Sequence, residues 1–92
     1  MTTTAQINDF AENAKFKVSR CTQYRYFNID EVTQIRIIKA GYKHAYHFRV
    51  LLIKADSDGI FLATNHTINE QASTLKEAKQ IAAGIYFKTV NG

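Results

Sequence analysis

The chain has 92 residues, of which 46% are hydrophobic and 22% charged, with a formal net charge of +4 at pH 7. This length and apolar content fit one small globular domain spanning residues 1–92 and exclude a disordered tail. No run of about eighteen apolar residues is present, so no membrane contact is expected. Met1–Thr4 lacks the basic start of a signal peptide, and Cys21 is the single cysteine. Both observations predict a cytoplasmic protein.

The first predicted element is a short helix over residues 4–14. Its apolar residues recur at the spacing of one helical face: Ile7, Phe10, Ala11 and Ala14. Thr3 followed by Gln6 resembles a capping box. Residues 15–28 are rich in aromatic and β-branched types and predict one long strand, with a bulge near residues 21–23 and a turn over residues 28–31.

Two further strands are predicted over residues 32–39 and 44–55, with a hairpin connection at residues 40–43 that contains Gly41. Pairing Ile37 with Tyr46 and Ile35 with Phe48 would make one face of this hairpin wholly apolar. The other face would then place Arg36 beside His47, and Gln34 beside Arg49, pointing away from the core.

The C-terminal third predicts a turn, a strand and a helix. Residues 56–59 are typical of a turn, residues 60–68 of a fourth strand and residues 69–73 of a polar loop. A helix follows from about Thr74 to Phe87, with a capping box at Thr74 and Glu77. Its inward stripe is predicted to be Leu75, Ala78, Ile81, Ala82, Ile85 and Thr89. Gly84 beside this stripe suggests a close approach to the sheet. The predicted fold is therefore α+β, in the order α-β-β-β-β-α, with helices on one face of an antiparallel sheet.

Positive charge is concentrated in the middle of the chain. Nine of the twelve cations and seven of the eleven aromatic residues fall between Lys15 and Lys54, where only Asp30 and Glu31 are acidic. This segment carries a net +7, and the remainder carries −3. Such a concentration is an electrostatic footprint for a polyanion. The alternative is a solvated sheet face whose cations discourage edge pairing.

Strands that carry cations and aromatic side chains can follow a phosphate backbone and stack bases. The predicted nucleic-acid-binding residues are Arg20, Arg25, Arg36, Lys39, Tyr42, Lys43 and Arg49. Tyr42 is expected to be exposed at the hairpin tip, while Phe16, Phe27, Tyr46 and Phe48 are expected in the core.

No pattern of catalytic or metal-binding residues emerges from the sequence. His44 and His47 are three residues apart, a spacing that puts them on opposite faces of a strand. Neither a phosphate-binding nor a dinucleotide-binding glycine motif is present. The sequence therefore predicts a binding module rather than an enzyme, with no cofactor, no metal, no catalytic residue and no small-molecule substrate.

The segment Ala72–Ala83 resembles the second helix of a double-stranded-RNA-binding domain. That family has the order α-β-β-β-α, and lysines near the start of this helix contact phosphates across a groove. The resemblance maps Lys76 and Lys79 onto that role and implies a stand-alone RNA-binding module.

A second resemblance involves the whole chain, which begins MTTTAQINDFAENAKFKVSR and has a basic, aromatic middle at RCTQYRYFNID and KAGYKHAYHFRV. The chain resembles small phage-encoded anti-CRISPR proteins, among inhibitors of the type I-F (Csy) surveillance complex. This resemblance implies a non-enzymatic inhibitor that docks on the guide-RNA-loaded complex, contacts its protein subunits and guide RNA, and blocks capture of target DNA. A basic middle would touch guide RNA, and the acidic remainder would face subunits built to hold nucleic acid.

Overall fold

Five antiparallel strands and two helices make up the structure, a computed structural model that describes residues 2–20, 24–42 and 45–91, and only the backbone of Tyr42. In chain order the elements are α1 (Thr4–Asn13), β1 (Lys17–Val18), β2 (Arg25–Asp30), β3 (Thr33–Tyr42), β4 (Ala45–Ala55), β5 (Phe61–Ala72) and α2 (Leu75–Asn91). The strands lie in one sheet in the order β1-β2-β3-β4-β5. The helices pack on the sheet, which confirms the predicted α+β class.

The N-terminal helix α1 begins where its capping box predicts. The Thr3 hydroxyl accepts a hydrogen bond from the Gln6 N–H at 3.1 Å, and the Gln6 side chain accepts one from the Thr3 N–H at 2.8 Å. These reciprocal bonds satisfy backbone donors that the first helical turn leaves without partners. Phe10 projects from α1 onto the sheet and packs against Phe27 and Tyr86.

The prediction of one long strand over residues 15–28 was wrong. The chain forms two strands instead, which pair antiparallel with Lys17 opposite Tyr26. A backbone hydrogen bond of 2.8 Å from the Ser19 N–H to the Tyr24 carbonyl closes the end of this hairpin. The imperfect alternation of the segment reflects this reversal, since one strand cannot change phase and stay regular. The bulge expected at residues 21–23 lies outside the described residues.

The register of the β3–β4 hairpin differs from the predicted one by four residues. Ile37 pairs with Val50 rather than Tyr46, and Ile35 pairs with Leu52 rather than Phe48. The shift arises because β3 continues through residue 42 instead of ending at 39. A shift by an even number of residues keeps each side chain on its predicted face, so the apolar face survives.

The β4–β5 connection contains the predicted turn. The Asp56 carboxylate accepts hydrogen bonds of 2.9 Å from the N–H groups of Asp58 and Ile60, and Gly59 has a positive φ of 79°. Beyond this turn β5 runs to Ala72, so the loop expected at residues 69–73 was largely wrong. Its polar residues pair with β4, where Leu51 lies opposite Asn69, because a strand at the sheet edge can carry solvated side chains.

The core lies between the sheet and α2. It comprises Ile35, Ile37, Val50, Leu52, Ala72, Ala78, Ala82 and Ile85. At the start of α2 the Thr74 hydroxyl accepts a hydrogen bond from the Glu77 N–H at 3.1 Å. The expectation that Gly84 approaches the sheet closely was wrong, because a Cβ at this position would have no neighbour within 4 Å. Within the described part of the chain, neither helix has the length and apolar character needed to cross a membrane.

Candidate nucleic-acid interface

The sheet surface that faces away from the helices is called the open face here. The strand register places one row of its side chains side by side across four strands: Lys17, Tyr26, Arg36 and Leu51. Tyr24 belongs to the same face as Tyr26, two residues along, and the two rings lie 6.0 Å apart. A cation and two tyrosines thus surround Arg36 on this face.

Arg36 is the most informative residue of the open face because it is buried, with only 7% of its surface exposed. Its Nε and Nη2 donate to Gln34 Oε1 at 3.0 and 2.8 Å, and Nη2 also donates to the Phe61 carbonyl at 3.1 Å. The Tyr24 ring covers the guanidinium, with 4.1 Å from Cζ to the ring centroid. Arg36 thus lies on the face predicted for it, away from the helices, but its side chain is buried there.

The start of β5 accounts for this burial. Register irregularities between β4 and β5 shift their pairing, so that Phe61 lies opposite Ala55 and its carbonyl reaches Arg36. Leu51 and Ile53, both on the open face, are 2% and 0% exposed. The sequence contains a signal for burial on the open face as well. Val50–Ile53 is an unbroken apolar run, as in strands that are buried on both faces.

A groove of about 490 Å³ opens beside Arg36, between the β1–β2 hairpin and the start of β5. Its lining residues are Val18, Ser19, Arg20, Tyr24, Tyr26, Gln34, Arg36 and Phe61. Two arginines and three aromatic residues share this lining, and no carboxylate is among the lining residues that the structure describes. Of these, only Arg20 and Arg36 were among the predicted binding residues. The others were missed, and the roles of Gln34 and Phe61 in particular depend on strand pairing and on the path of β5.

The predicted binding residues do not form one face. Arg36 and Arg49 lie on the open face, where Arg49 Nε donates to Asn69 Oδ1 at 3.3 Å. Arg25 pairs with Ile37 and so lies on the helix-covered face. Lys39 pairs with Phe48, also on that face. The structure therefore places Arg36 and Arg49 on the face predicted for them, away from the helices, and separates Arg25 and Lys39 from them.

Arg20 is exposed and lines the Arg36 groove. Tyr42 is the last residue of β3, but its side chain lies outside the described part of the structure, as do Lys43 and His44. Lys39 is exposed, and its Nζ lies 4.0 Å from the centroid of the Tyr46 ring. Tyr46 is itself 47% exposed rather than in the core as expected.

Charge is instead separated along the strand direction. One end of the sheet, the basic end, comprises the β1–β2 hairpin, the end of β3, the start of β4 and the end of β5. It carries Arg20, Arg25, Lys39 and Arg49, with Glu70 of β5 as an acidic residue among them. The β2–β3 and β4–β5 turns form the opposite, acidic end, which carries Asp30, Glu31, Asp56 and Asp58. Lys54 also lies there, with its Nζ 3.0 Å from the Thr33 hydroxyl.

Asp30 shows how the acidic end is stabilised. Its carboxylate accepts a hydrogen bond of 2.9 Å from the Val32 N–H, inside the tight turn between β2 and β3. This bond lowers the pKa of Asp30 below its ordinary value, with smaller contributions from Thr33 and the charge of Lys54. The carboxylate therefore stays ionised at the acidic end well below neutral pH.

The lysines of the double-stranded-RNA-binding resemblance lie elsewhere. Lys76 and Lys79 line a cleft of about 580 Å³ between α1 and α2, together with Glu12 and Gln80. This cleft is on the helix side of the molecule, apart from the Arg36 groove. In the described part of the chain no three histidine, cysteine, aspartate or glutamate side chains are grouped as metal ligands.

Comparison with protein-family models, with curated proteins and with solved structures found no match for this chain.

Proposed function

We propose that this protein is an anti-CRISPR inhibitor that binds the type I-F guide-RNA surveillance complex in the bacterial cytoplasm and blocks capture of target DNA. The whole-chain resemblance supplies the identity of the target. The observation that carries the mode of binding is the separation of charge along the strands, with Arg20, Lys39 and Arg49 at the basic end. The inhibitor acts by occupancy and without turnover.

The separated charges suit a partner surface that carries both negative and positive charge. A guide-RNA-loaded complex exposes phosphates beside basic protein subunits that hold nucleic acid. The basic end of the sheet contacts guide RNA or the groove that holds it, while the Asp30 and Asp56 turns face the basic subunits. Opposite charges at opposite ends of the sheet fix the orientation of docking as well as its rate.

An RNA-binding module that acts alone is the second candidate. Lys76 and Lys79 support it, since both line one cleft near the start of α2, as the resemblance to double-stranded-RNA-binding domains implies. This mode uses the helix side of the molecule, and the inhibitor mode uses the basic end of the sheet. Separate variants can therefore distinguish the two.

A binding experiment with purified type I-F complex and with naked guide RNA tests the proposal. We expect the complex to bind at least a hundredfold more tightly than the naked RNA at physiological salt, a difference of about 2.7 kcal/mol. The double variant Arg20→Gln with Lys39→Gln should weaken binding to the complex. Lys88→Gln is the matched control, because Lys88 is an exposed cation in the last turn of α2.

Equal affinity for naked RNA and for the complex would contradict the inhibitor proposal. If that affinity were lost in the double variant Lys76→Gln with Lys79→Gln, the stand-alone module would be the correct function. Inhibition at far below one protein per complex would indicate an enzyme and contradict both.

A further inference from the structure

We infer that the Arg36 groove is a subsite for one nucleotide of a single-stranded RNA, with the phosphate at the arginines and the base against the tyrosines. The inference rests on the proposed function, because it names the part of the guide RNA that the protein would contact. It differs from the sequence prediction in using a recessed groove rather than a flat strand surface.

Arg36 holds its positive charge among neutral hydrogen-bond partners. Arg36 is 7% exposed, and the hydrogen bonds of its guanidinium go to an amide oxygen and a backbone carbonyl, which are both neutral. None of the described residues gives it a carboxylate partner. A buried cation without a counter-charge is unfavourable in a folded protein, and an anion bound beside it removes that cost.

One donor of the Arg36 guanidinium remains for a ligand. Nε and Nη2 are used by Gln34 and Phe61, whereas Nη1 makes no hydrogen bond with the described residues. Arg20 lines the same groove and is exposed. Two guanidinium groups on one groove provide the planar, multidentate donors that phosphate oxygens accept.

The aromatic lining of the groove selects a nucleotide over a simple anion. Tyr24 and Tyr26 line the groove at a ring separation of 6.0 Å. Base stacking on such rings is favourable for every base and needs no sequence-specific contact. The volume of about 490 Å³ lies in the range that holds a ligand of this size.

Cationic side chains continue from the groove toward the edge of the sheet. Lys17 pairs with Tyr26 on the open face, next to the groove. Lys15, Lys17 and Tyr26 line a second, smaller hollow of about 140 Å³ beyond it. An RNA strand that has one nucleotide in the Arg36 groove can thus place its neighbouring phosphate at Lys17. This arrangement favours an RNA strand over a free nucleotide as the ligand.

The test is an NMR titration of the free, full-length protein with four probes: inorganic phosphate, uridine, uridine 5′-monophosphate and a six-nucleotide single-stranded RNA. One subsite binds weakly, so dissociation constants of about 0.1–1 mM are expected for the hexamer. We expect the hexamer to bind more tightly than the mononucleotide, and the mononucleotide more tightly than phosphate or uridine. The amide shifts should be largest at Ser19, Arg20 and Tyr26.

Arg20 is exposed and Tyr26 is half-buried, so substitutions at these two positions leave the hydrogen bonds of Arg36 in place. Tyr26→Leu and Arg20→Gln should each weaken hexamer binding by about tenfold. Lys88→Gln is the control and should leave it unchanged, since Lys88 is exposed in the last turn of α2 and does not line the groove. Circular dichroism of each variant verifies that the fold is retained.

Three outcomes would overturn the subsite: no hexamer binding at millimolar concentration, binding that Tyr26→Leu and Arg20→Gln leave unchanged, or phosphate binding as tightly as the hexamer. A mononucleotide that binds while the hexamer does not would overturn it as well. The surveillance-complex experiment is a separate measurement. If the complex binds and the hexamer does not, the subsite alone is wrong; if only the hexamer binds, the proposed function is wrong.

Discussion

The Arg36 guanidinium lies under the Tyr24 ring, with 4.1 Å between Cζ and the ring centroid, and this contact joins the β1–β2 hairpin to the centre of the sheet. A cation over an aromatic face is stabilised by the ring quadrupole, most strongly where water is excluded. The same guanidinium bonds to the carbonyl of Phe61 in β5. Arg36 therefore connects three separate parts of the chain, and its role in the fold can be tested apart from any role in binding.

Arg36→Glu should strongly destabilise the protein. The change buries a carboxylate beside Gln34 Oε1 and the Phe61 carbonyl, which cannot donate to it, and a loss of about 3–5 kcal/mol is expected. Urea unfolding followed by circular dichroism measures this loss. Arg49→Glu is the control, because Arg49 lies on the same face and is only half-buried, and it should cost less than about 1 kcal/mol. Equal stability of the two variants would contradict the structural role of Arg36.

Gly84→Ala should stabilise the protein. Gly84 is inside α2, where glycine costs about 1 kcal/mol relative to alanine. An added Cβ would meet no atom within 4 Å, so the substitution carries no packing penalty. We expect a gain of about 0.5–1 kcal/mol in the free energy of unfolding, measured by thermal and urea unfolding. A loss of stability would instead support the close helix–sheet approach that the sequence suggested.

Gly41→Ala should have the opposite effect. Gly41 has φ of +104°, which L-residues rarely adopt, and an added Cβ would lie 2.6 Å from the backbone oxygen of Ala45. That oxygen belongs to β4, so relief requires a change in the hairpin itself. We expect a loss of at least about 2 kcal/mol. Heteronuclear NMR spectra of the variant should show the changes concentrated in β3 and β4, and unchanged stability would be inconsistent with this backbone geometry.

The elements that the sequence predicted well are those determined by local signals. Thr3 with Gln6, and Thr74 before α2, define helix starts through contacts over three residues. The turn at Asp56 is equally local, because its carboxylate bonds only to the next few N–H groups. Such interactions form in any tertiary context, so they can be predicted from the sequence without knowledge of the fold.

The candidate site was predicted less well because it depends on strand pairing. Arg25 lies on the helix-covered face because it pairs with Ile37, and a slip of one residue would reverse that assignment. The burial of Arg36 requires the Phe61 carbonyl, 25 residues away in sequence. The concentration of cations indicated the correct region of the chain, but the arrangement of their side chains follows from non-local contacts.

The stability of the folded protein should depend on pH through Asp30 at the acidic end. The pKa of Asp30 is lowered in the folded protein by the Val32 N–H, so the folded state binds this proton less readily than the unfolded chain. The carboxylate therefore contributes stability above its unfolded pKa, and this contribution is lost as the pH falls from 3.8 through the lowered value.

Asp30→Asn keeps a hydrogen-bond acceptor in the turn and removes the charge. It should be less stable than the wild type near neutral pH, and the difference should shrink below about pH 4. Unfolding free energies of both proteins across this range check the prediction. Because Asp30 is exposed the effect is small, and Asp58→Asn in the other turn serves as a comparison. A difference that grows on acidification would contradict the assigned direction.

The salt dependence of binding distinguishes docking on the complex from simple competition for nucleic acid. Each phosphate contact to a single strand contributes a slope of about −0.7 in log K against log salt. Guide RNA held by protein subunits offers few free phosphates, and the remaining contacts between proteins respond less to salt. We expect a slope of about −2 to −4 for binding to the surveillance complex.

Arg20→Gln should make this slope shallower by about 0.7, while Lys88→Gln should leave it unchanged. Affinities measured from about 50 to 300 mM salt by biolayer interferometry give the slopes. A slope beyond about −7, unchanged in Arg20→Gln, would mean that the bound surface is a long stretch of free nucleic acid held away from the basic end of the sheet.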